Sequence, residues 1–246
     1  SGCGCGQVLN YYTQALEDLG MDPEYMLHIG GVGCTARIPV YLKKVMFHGV
    51  HGRTLGWATG VKMMQPDLPV VIFAGDGDVA SIGGNHLIHA ARRNLDVTVV
   101  MVNNLNFAMT GGQVAPTTPE ESRTMTTPYG SDEPRFDVCE LVKAAGATHV
   151  ERWTTAQPVQ CKKAMERALT HKGFSLIEIV SQCPTHFGRY ALKTGEPNAV
   201  VEWIKGYTYT DAQAKKMTPE ELEGKLRCGQ YICVDKPVYA GTTNLM

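Results

Sequence analysis

Four apolar residues, Val70 to Phe73, run without interruption and then give way to Gly75-Asp76-Gly77-Asp78. An unbroken β-branched run of that length, closed by glycine, predicts a strand buried on both faces. From Ser81 to Asn94 the apolar positions Ile82, Leu87, Ile88 and Ala91 suit a helix, and Asp96 to Val102 is a second run of strand length. Strand, loop, helix and strand make a βαβ unit, which crosses over right-handed and brings both strand ends to one edge of a parallel sheet. Asp76 and Asn103-Asn104 are therefore expected to meet in space.

The same reading predicts a helix over Gln7 to Leu19 stopped by Gly20, a short strand near Met26 to Ile29, and a helix over Thr54 to Gln65 closed by Pro66. Phe136 to Ala145, His149 to Trp153, Pro158 to His171 and Phe174 to Val180 continue as helix, strand, helix, strand. This alternation predicts an α/β fold with a doubly wound, mostly parallel sheet. From Phe187 to Met246 the alternation stops: Thr218-Pro219-Glu220-Glu221 opens a short helix and the remainder reads as extended, an irregular C-terminal arm. The expected division is 1–186 for the α/β domain and 187–246 for an arm that packs on a partner.

Composition narrows the function classes. With 246 residues, 43% of them hydrophobic, one large α/β domain is affordable. A net charge of −1 without a basic block argues against nucleic acid or anionic membrane as partner. No apolar run reaches the roughly 20 residues that span a bilayer, and no signal-peptide pattern is present, so cytoplasm is the expected location. Eight cysteines in a chain of this class point to metal ligands or reduced thiols rather than a disulfide scaffold. The chain opens at Ser1 without methionine, so further residues upstream are expected.

At the shared sheet edge, the oxygen donors of Asp76 and the asparagine pair suit Mg2+ held partly through substrate phosphates. The Gly-rich turn and the helix after it offer backbone N–H groups to the phosphates themselves. The bland alternative is a phosphate-free, Asx-capped turn. Gly75-Asp76-Gly77 followed 28 positions on by Asn104 resembles the GDG…NN fingerprint of thiamin diphosphate enzymes. That resemblance implies Mg2+ bound by the side chains of Asp76 and Asn104 and the backbone carbonyl of Asn106.

Further motifs in order, GVGCTARIP from Gly31, FHGVHGRTLGWATGVKMMQPDLPVVIFAGDGD from Phe47 and MTGGQVAPTTP from Met109, are similar to the thiamin-binding β subunit of 2-oxoacid:ferredoxin oxidoreductases. The likeness covers about Ser1 to Arg189. It implies that 1–186 is the thiamin diphosphate-binding domain, with Gly75, Gly77, Asp78, Thr110 and Gly111 around the cofactor and His51, Gly52 and Arg53 at its diphosphate or thiazolium end. Arg53 has an independent reason, since a guanidinium pairs with phosphate oxygens; a solvated arginine is the alternative.

The resemblance also implies a [4Fe–4S] cluster on Cys3, Cys34 and Cys183, the fourth cysteine lying just upstream of Ser1 or else being Cys5. Buried structural thiols are the alternative for Cys34 and Cys183. Arg37, three residues after Cys34, is a candidate for the substrate carboxylate, with a surface ion pair as the other reading. His48 with His51, and His86 with His89, lack further ligands at zinc spacing. Cys139 and Cys161 sit on apolar helical faces, and Cys228 and Cys233 read as packing residues. The implied activity is thiamin-dependent oxidative decarboxylation of a 2-oxoacid to acyl-coenzyme A and CO2, or its reverse, with electrons leaving through the cluster to ferredoxin. The implied assembly is a heterodimer whose α subunit carries the pyrimidine-side domain and the catalytic glutamate. Two rival readings are a non-redox thiamin diphosphate decarboxylase or synthase subunit, and a non-catalytic iron–sulfur electron-transfer module.

Overall fold

The computed structural model describes residues 2–42 and 45–239. The expected βαβ unit lies at the centre: β3 (Val70–Gly75) and β4 (Val97–Asn103) pair in parallel, with Gly75 opposite Val102. On one side follow β1 (Leu27–Gly30) and β2 (Met46–His48), and on the other β6 (Phe174–Val180) and β5 (His149–Thr154). With β7 (Thr208–Thr210) and β8 (Leu226–Cys233) the sheet order is β2-β1-β3-β4-β6-β5-β8-β7. Only the β5–β8 pair is antiparallel among the described strands.

The central strands are buried on both faces, and their alternate residues serve two separate layers. Val71, Phe73, Val100, Val102, Ile177 and Ile179 pack under α1 (Cys5–Leu19) and α5 (Pro158–Thr170). Ile72, Ala74, Val99, Met101 and Leu176 pack under α2 (Thr54–Met64), α3 (Gly84–Arg92) and α4 (Val138–Ala145). Each such aliphatic side chain contributes about 1.5–3 kcal/mol on burial, so the doubly wound arrangement follows from the unbroken apolar runs. Helix ends follow local signals: α1 stops at Gly20 with φ 63°, and the Asp137 carboxylate caps α4 by accepting from the Glu140 N–H at 3.2 Å.

Two elements differ from the sequence expectation. The helix after Asp76 does not begin at Ser81. Residues Gly77–Ile82 form a π-helical turn and α3 starts only at Gly84. The wider turn shifts the helical frame, so Leu87, Ala90 and Ala91 face the core while Ile82 and Ile88 are exposed. The stretch after Phe187 also holds more structure than an extended arm. It forms α6 (Phe187–Ala191), α7 (Pro197–Tyr207), α8 (Asp211–Ala214) and α9 (Pro219–Leu222), and β8 adds an antiparallel strand to this chain's own sheet. Val200 and Ile204 of α7 pack with Leu226 and Val180. Residues 240–246 of that stretch lie outside the described residues.

Candidate functional site

The loops after β1, β3 and β4 converge at the carboxyl edge of the sheet. They enclose a cavity of about 120 Å³ whose walls include Val32, Cys34, Thr35, His51, Phe107, Met109 and Thr110, together with Gly75, Asp76, Gly77, Asp78, Asn104 and Asn106. Asp76 and the asparagine pair meet there as the crossover argument requires.

Asp76 is 1% exposed, and its carboxylate accepts from the Thr117 hydroxyl at 2.5 Å and the Asn104 N–H at 3.4 Å. Burial pushes its carboxyl up to about 7, the hydrogen bonds from Thr117 and the backbone offsetting only part of the lost hydration. Beside it the side-chain oxygens of Asn104 and Asn106 are buried without a hydrogen-bond partner. An unmet buried acceptor costs about 1–3 kcal/mol, and here two of them belong to residues that line the same cavity as a desolvated carboxylate. One hard divalent cation would satisfy all three, and the all-oxygen donor set fits Mg2+. The unpartnered Asn106 side-chain oxygen is a further candidate donor, beside the backbone carbonyl that the sequence reading assigned to this residue. Among the described residues no three His, Cys, Asp or Glu side chains stand around a single ion. A site with one carboxylate and two amides, completed by diphosphate oxygens, needs no such group.

Asp78 is a clamp. One carboxylate oxygen accepts from His51 Nδ1 at 2.5 Å and the Gly52 N–H at 2.6 Å, and the other from the Val32 N–H at 3.1 Å. Two loops distant in sequence, after β1 and after β2, are thereby fixed to the π-helical turn. The closeness demands glycine: a Cβ on Gly31 would fall 1.7 Å from the Asp78 carboxylate, and one on Gly77 would fall 2.5 Å from the Phe107 ring. Across the cavity Leu105 holds φ 64°, a left-handed conformation costing about 1–2 kcal/mol for a residue with a side chain. Its N–H donates to Asn103 Oδ1 at 3.1 Å and its carbonyl accepts from Thr118 at 2.7 Å, which hold the bend.

The cysteines gather next door. Cys3, Cys5, Cys34 and Arg37 line a second cavity of about 470 Å³ that shares Cys34 and Met109 with the first. Buried Cys183 packs with Leu105, Ala108 and Phe187, and Cys34 lies against the same group. Cys3 is held down to about 6, chiefly by a hydrogen bond from the Cys5 thiol, while the same bond and burial push Cys5 far up. Burial and the neighbouring Cys3 and Cys183 raise Cys34 to about 11. Burial and neighbouring thiols hold Cys5 and Cys34 in their protonated form, and a metal bound there would displace those protons. Thiolates are the usual ligands of iron–sulfur clusters, so the chemistry of Cys3, Cys5, Cys34 and Cys183 fits such a group. Cys5 opens α1 on the same cavity wall, so both sequence alternatives for the fourth ligand stay open.

Other expected residues stand back. Arg53 is exposed, and its guanidinium donates to the Ile82 and Gly52 carbonyls at 3.1 and 3.2 Å rather than lining the cavity. Gly52 is buried behind Asp78, and Gly111, with φ 124°, shapes the turn that presents Thr110. Cys139 and Cys161 are fully buried in the two helical layers, Cys228 is buried on β8 and Cys233 is exposed at its end. The sequence reading missed Thr117, Thr35, Phe107 and the Asp78 clamp. Thr117 lies within the MTGGQVAPTTP motif quoted above, which is the signal that would have found it.

Comparison with known proteins agrees with this geometry. Residues 31–179 match the family described as thiamine pyrophosphate enzyme, C-terminal TPP binding domain. The chain is 46% identical over 239 residues to the 2-oxoglutarate synthase subunit KorB of Methanocaldococcus jannaschii, covering 97% of this chain and 88% of that one. It is 40% identical over 183 residues to the 2-oxoglutarate oxidoreductase subunit KorB of Mycobacterium tuberculosis, covering 74% and 49%. Among solved structures it is similar to 2-oxoglutarate:ferredoxin oxidoreductase from Magnetococcus marinus with 2-oxoglutarate, coenzyme A and succinyl-CoA bound. There the TM-score is 0.87 at 31% identity, covering all of this chain and 84% of that one.

Proposed function

Because the chain belongs to the β subunits of the 2-oxoacid:ferredoxin oxidoreductases, we propose that its complex acts on 2-oxoglutarate with thiamin diphosphate, Mg2+ and a [4Fe–4S] cluster. The substrate class, a 2-oxoacid converted by a thiamin-dependent oxidoreductase, follows from the family. The choice of 2-oxoglutarate is supported by the names of the M. jannaschii and M. tuberculosis relatives and by the ligands of the M. marinus enzyme. The observation that carries the cofactor reading is the buried Asp76 carboxylate beside the two unpartnered amide oxygens of Asn104 and Asn106.

When bound, thiamin diphosphate supplies the nucleophilic carbon and electron sink for decarboxylation, and the cluster supplies one-electron transfer toward ferredoxin. The chain's own share is placement. Asp76, Asn104 and Asn106 would hold the cation, the backbone amides of the π-helical turn would serve the diphosphate, and Asp78 orients His51 along the wall. Cys3, Cys34 and Cys183, with Cys5 or an upstream cysteine, would hold the cluster, and Cys34 borders both cavities. Arg37 lines the cluster-side cavity as a candidate for the substrate carboxylate.

A partner subunit is supported by two observations. The cofactor cavity, about 120 Å³, is smaller than the roughly 300 Å³ at which pockets begin to enclose a ligand of this size. Its lining residues Val32 and Met109 are 38% and 50% exposed. The α subunit would then cover the cofactor and bring the catalytic glutamate, with residues 187–239 offering part of the contact surface. Eight free thiols favour a reducing compartment, the cytoplasm. No described helix is long and apolar enough to cross a membrane. The non-redox decarboxylase and the non-catalytic module find no support among relatives that are oxidoreductases.

The test is an anaerobic analysis of the complex purified through this chain, with substrate screening. About four irons and one thiamin diphosphate per copy, a [4Fe–4S] electron paramagnetic resonance signal after dithionite, and highest kcat/KM on 2-oxoglutarate are the expected results. Thiamin without iron would remove the redox assignment, and preference for pyruvate would remove the substrate.

A further inference from the structure

Beneath the metal-binding loop lies a buried ionic chain that the site as described does not use. Glu178, on β6, is fully buried, and its two carboxylate oxygens face different directions. One accepts from Asn103 Nδ2 at 2.7 Å. The other accepts from Arg152 Nε at 2.8 Å and the Cys139 thiol at 3.1 Å. Arg152, on β5, is itself fully buried and donates to Asp137 at 2.6 and 3.2 Å and to the Tyr231 hydroxyl on β8 at 2.5 Å. One hydrogen-bonded path therefore runs from the C-terminal strand through Arg152 and Glu178 to Asn103.

Asn103 is the residue before the proposed metal ligand Asn104. Its amide does two jobs at once. Nδ2 donates to Glu178, which turns Oδ1 toward the Leu105 N–H and holds Leu105 at φ 64°. That bend points the following backbone toward Asp76, whose carboxylate receives the Asn104 N–H, and lets the Asn104 carbonyl receive Asn106 Nδ2 at 2.6 Å. The orientation of Asn103 is set by the acceptor beneath it, because a carboxylate can only accept. A core strand position otherwise filled by apolar residues, as at Leu176 and Phe174 on the same face, here carries a charge that must be paired.

We infer that Glu178 is a positioning residue for the cation site, acting through Asn103 to set the bend that presents Asn104 and Asn106, and that Arg152 and Tyr231 tie this setting to the C-terminal strand. The inference rests on the proposed Mg2+ site. It assigns a task to a buried ion pair whose stabilising value alone is small, since replacing such pairs by apolar residues is often neutral or favourable.

The experiment uses the complete complex, stripped of metal with chelator and reconstituted at fixed thiamin diphosphate. The half-saturating Mg2+ concentration is read by intrinsic fluorescence, with thermal unfolding recorded on the same samples. Glu178→Gln leaves either Asn103 or Arg152 facing a second donor. Asn103→Ser keeps a short hydroxyl that can serve the Leu105 N–H but cannot reach Glu178. Both are expected to raise the half-saturating Mg2+ by about ten- to hundred-fold, as loss of an outer-sphere partner does. Glu151→Gln breaks a buried ionic group on the opposite face of the sheet and is expected to lower the melting temperature without moving the Mg2+ midpoint. If Asn103→Ser and Glu178→Gln melt earlier yet keep the wild-type midpoint, Glu178 is structural only and the inference is overturned. Should wild-type complex bind thiamin diphosphate independently of Mg2+, the cation site itself falls, and the inference with it.

Discussion

Asp76, just past the end of β3, and Glu151, on β5, are both buried carboxylates, yet their acidities move in opposite directions. Asp76 is carried up to about 7 by burial, with only a hydroxyl and backbone N–H groups to oppose it. Burial also raises Glu151, but His149, Trp153 and the Arg167 guanidinium bring it down to about 2, Arg167 donating to both of its oxygens at 2.7 Å. The fold supplies Glu151 with its cation and withholds one from Asp76. A carboxylate whose counter-charge is built in serves stability, whereas one left desolvated among unpartnered oxygens has its counter-charge arriving from outside.

Breaking the comparison at Asp76 has the largest expected effect. Asp76→Ala should reduce turnover of the complex by on the order of a thousandfold, the scale of losing a catalytic metal's several kcal/mol, with little change in the thermal melting of the cation-free complex. Glu151→Gln should do the reverse. The gap between about 2 and the ordinary 4.5 corresponds to about 3 kcal/mol, so melting should fall by roughly 6–12 °C for a chain of this size. Turnover at low temperature should stay near wild type.

Much of this contrast was legible in the sequence on one side only. Asp76 and Asn104 could be brought together because glycine-bounded apolar runs define a βαβ unit whose handedness is nearly invariant. The Glu151 pairing could not, since His149, Trp153 and Arg167 become its neighbours only through strand alternation and the seating of α5. The Asp78 clamp joins loops 26 to 46 residues apart and left no periodic signal. The π-helical turn at Gly77–Ile82 shifts the helical frame, so Ile82 and Ile88, counted among the apolar positions that suit a helix, are exposed. Strand β8 escaped because Gly229, at φ 144°, interrupts its apolar pattern and its pairing slips at Val150 and Glu151.

Acidity sharpens the comparison further. The folded, cation-free chain binds a proton on Asp76 more tightly than the unfolded chain does. Asp76 thus works against folding as pH rises from about 4 to 7, and Mg2+ must displace its proton below 7. The half-saturating Mg2+ should therefore rise about tenfold for each pH unit below 7. For Glu151 the sign is opposite: its stabilisation is fully present above 4.5 and is lost only as pH falls toward 2. Mg2+ titrations and denaturant melts across pH 5 to 8 should show the first dependence and a flat Glu151 contribution. The smallest expected effect is at Thr117. Thr117→Val removes the hydroxyl donor to Asp76 and should raise the required Mg2+ about two- to tenfold, the net value of one hydrogen bond, visible in the same titration.

The most direct measurement of the central claim is calorimetric titration of thiamin diphosphate into the metal-stripped complex at pH 7.5, with and without Mg2+, for wild type, Asp76→Ala and Glu151→Gln. Wild type and Glu151→Gln should bind one thiamin diphosphate per copy of this chain only when Mg2+ is present, and Asp76→Ala should bind none. Undiminished, Mg2+-dependent binding by Asp76→Ala would contradict the account.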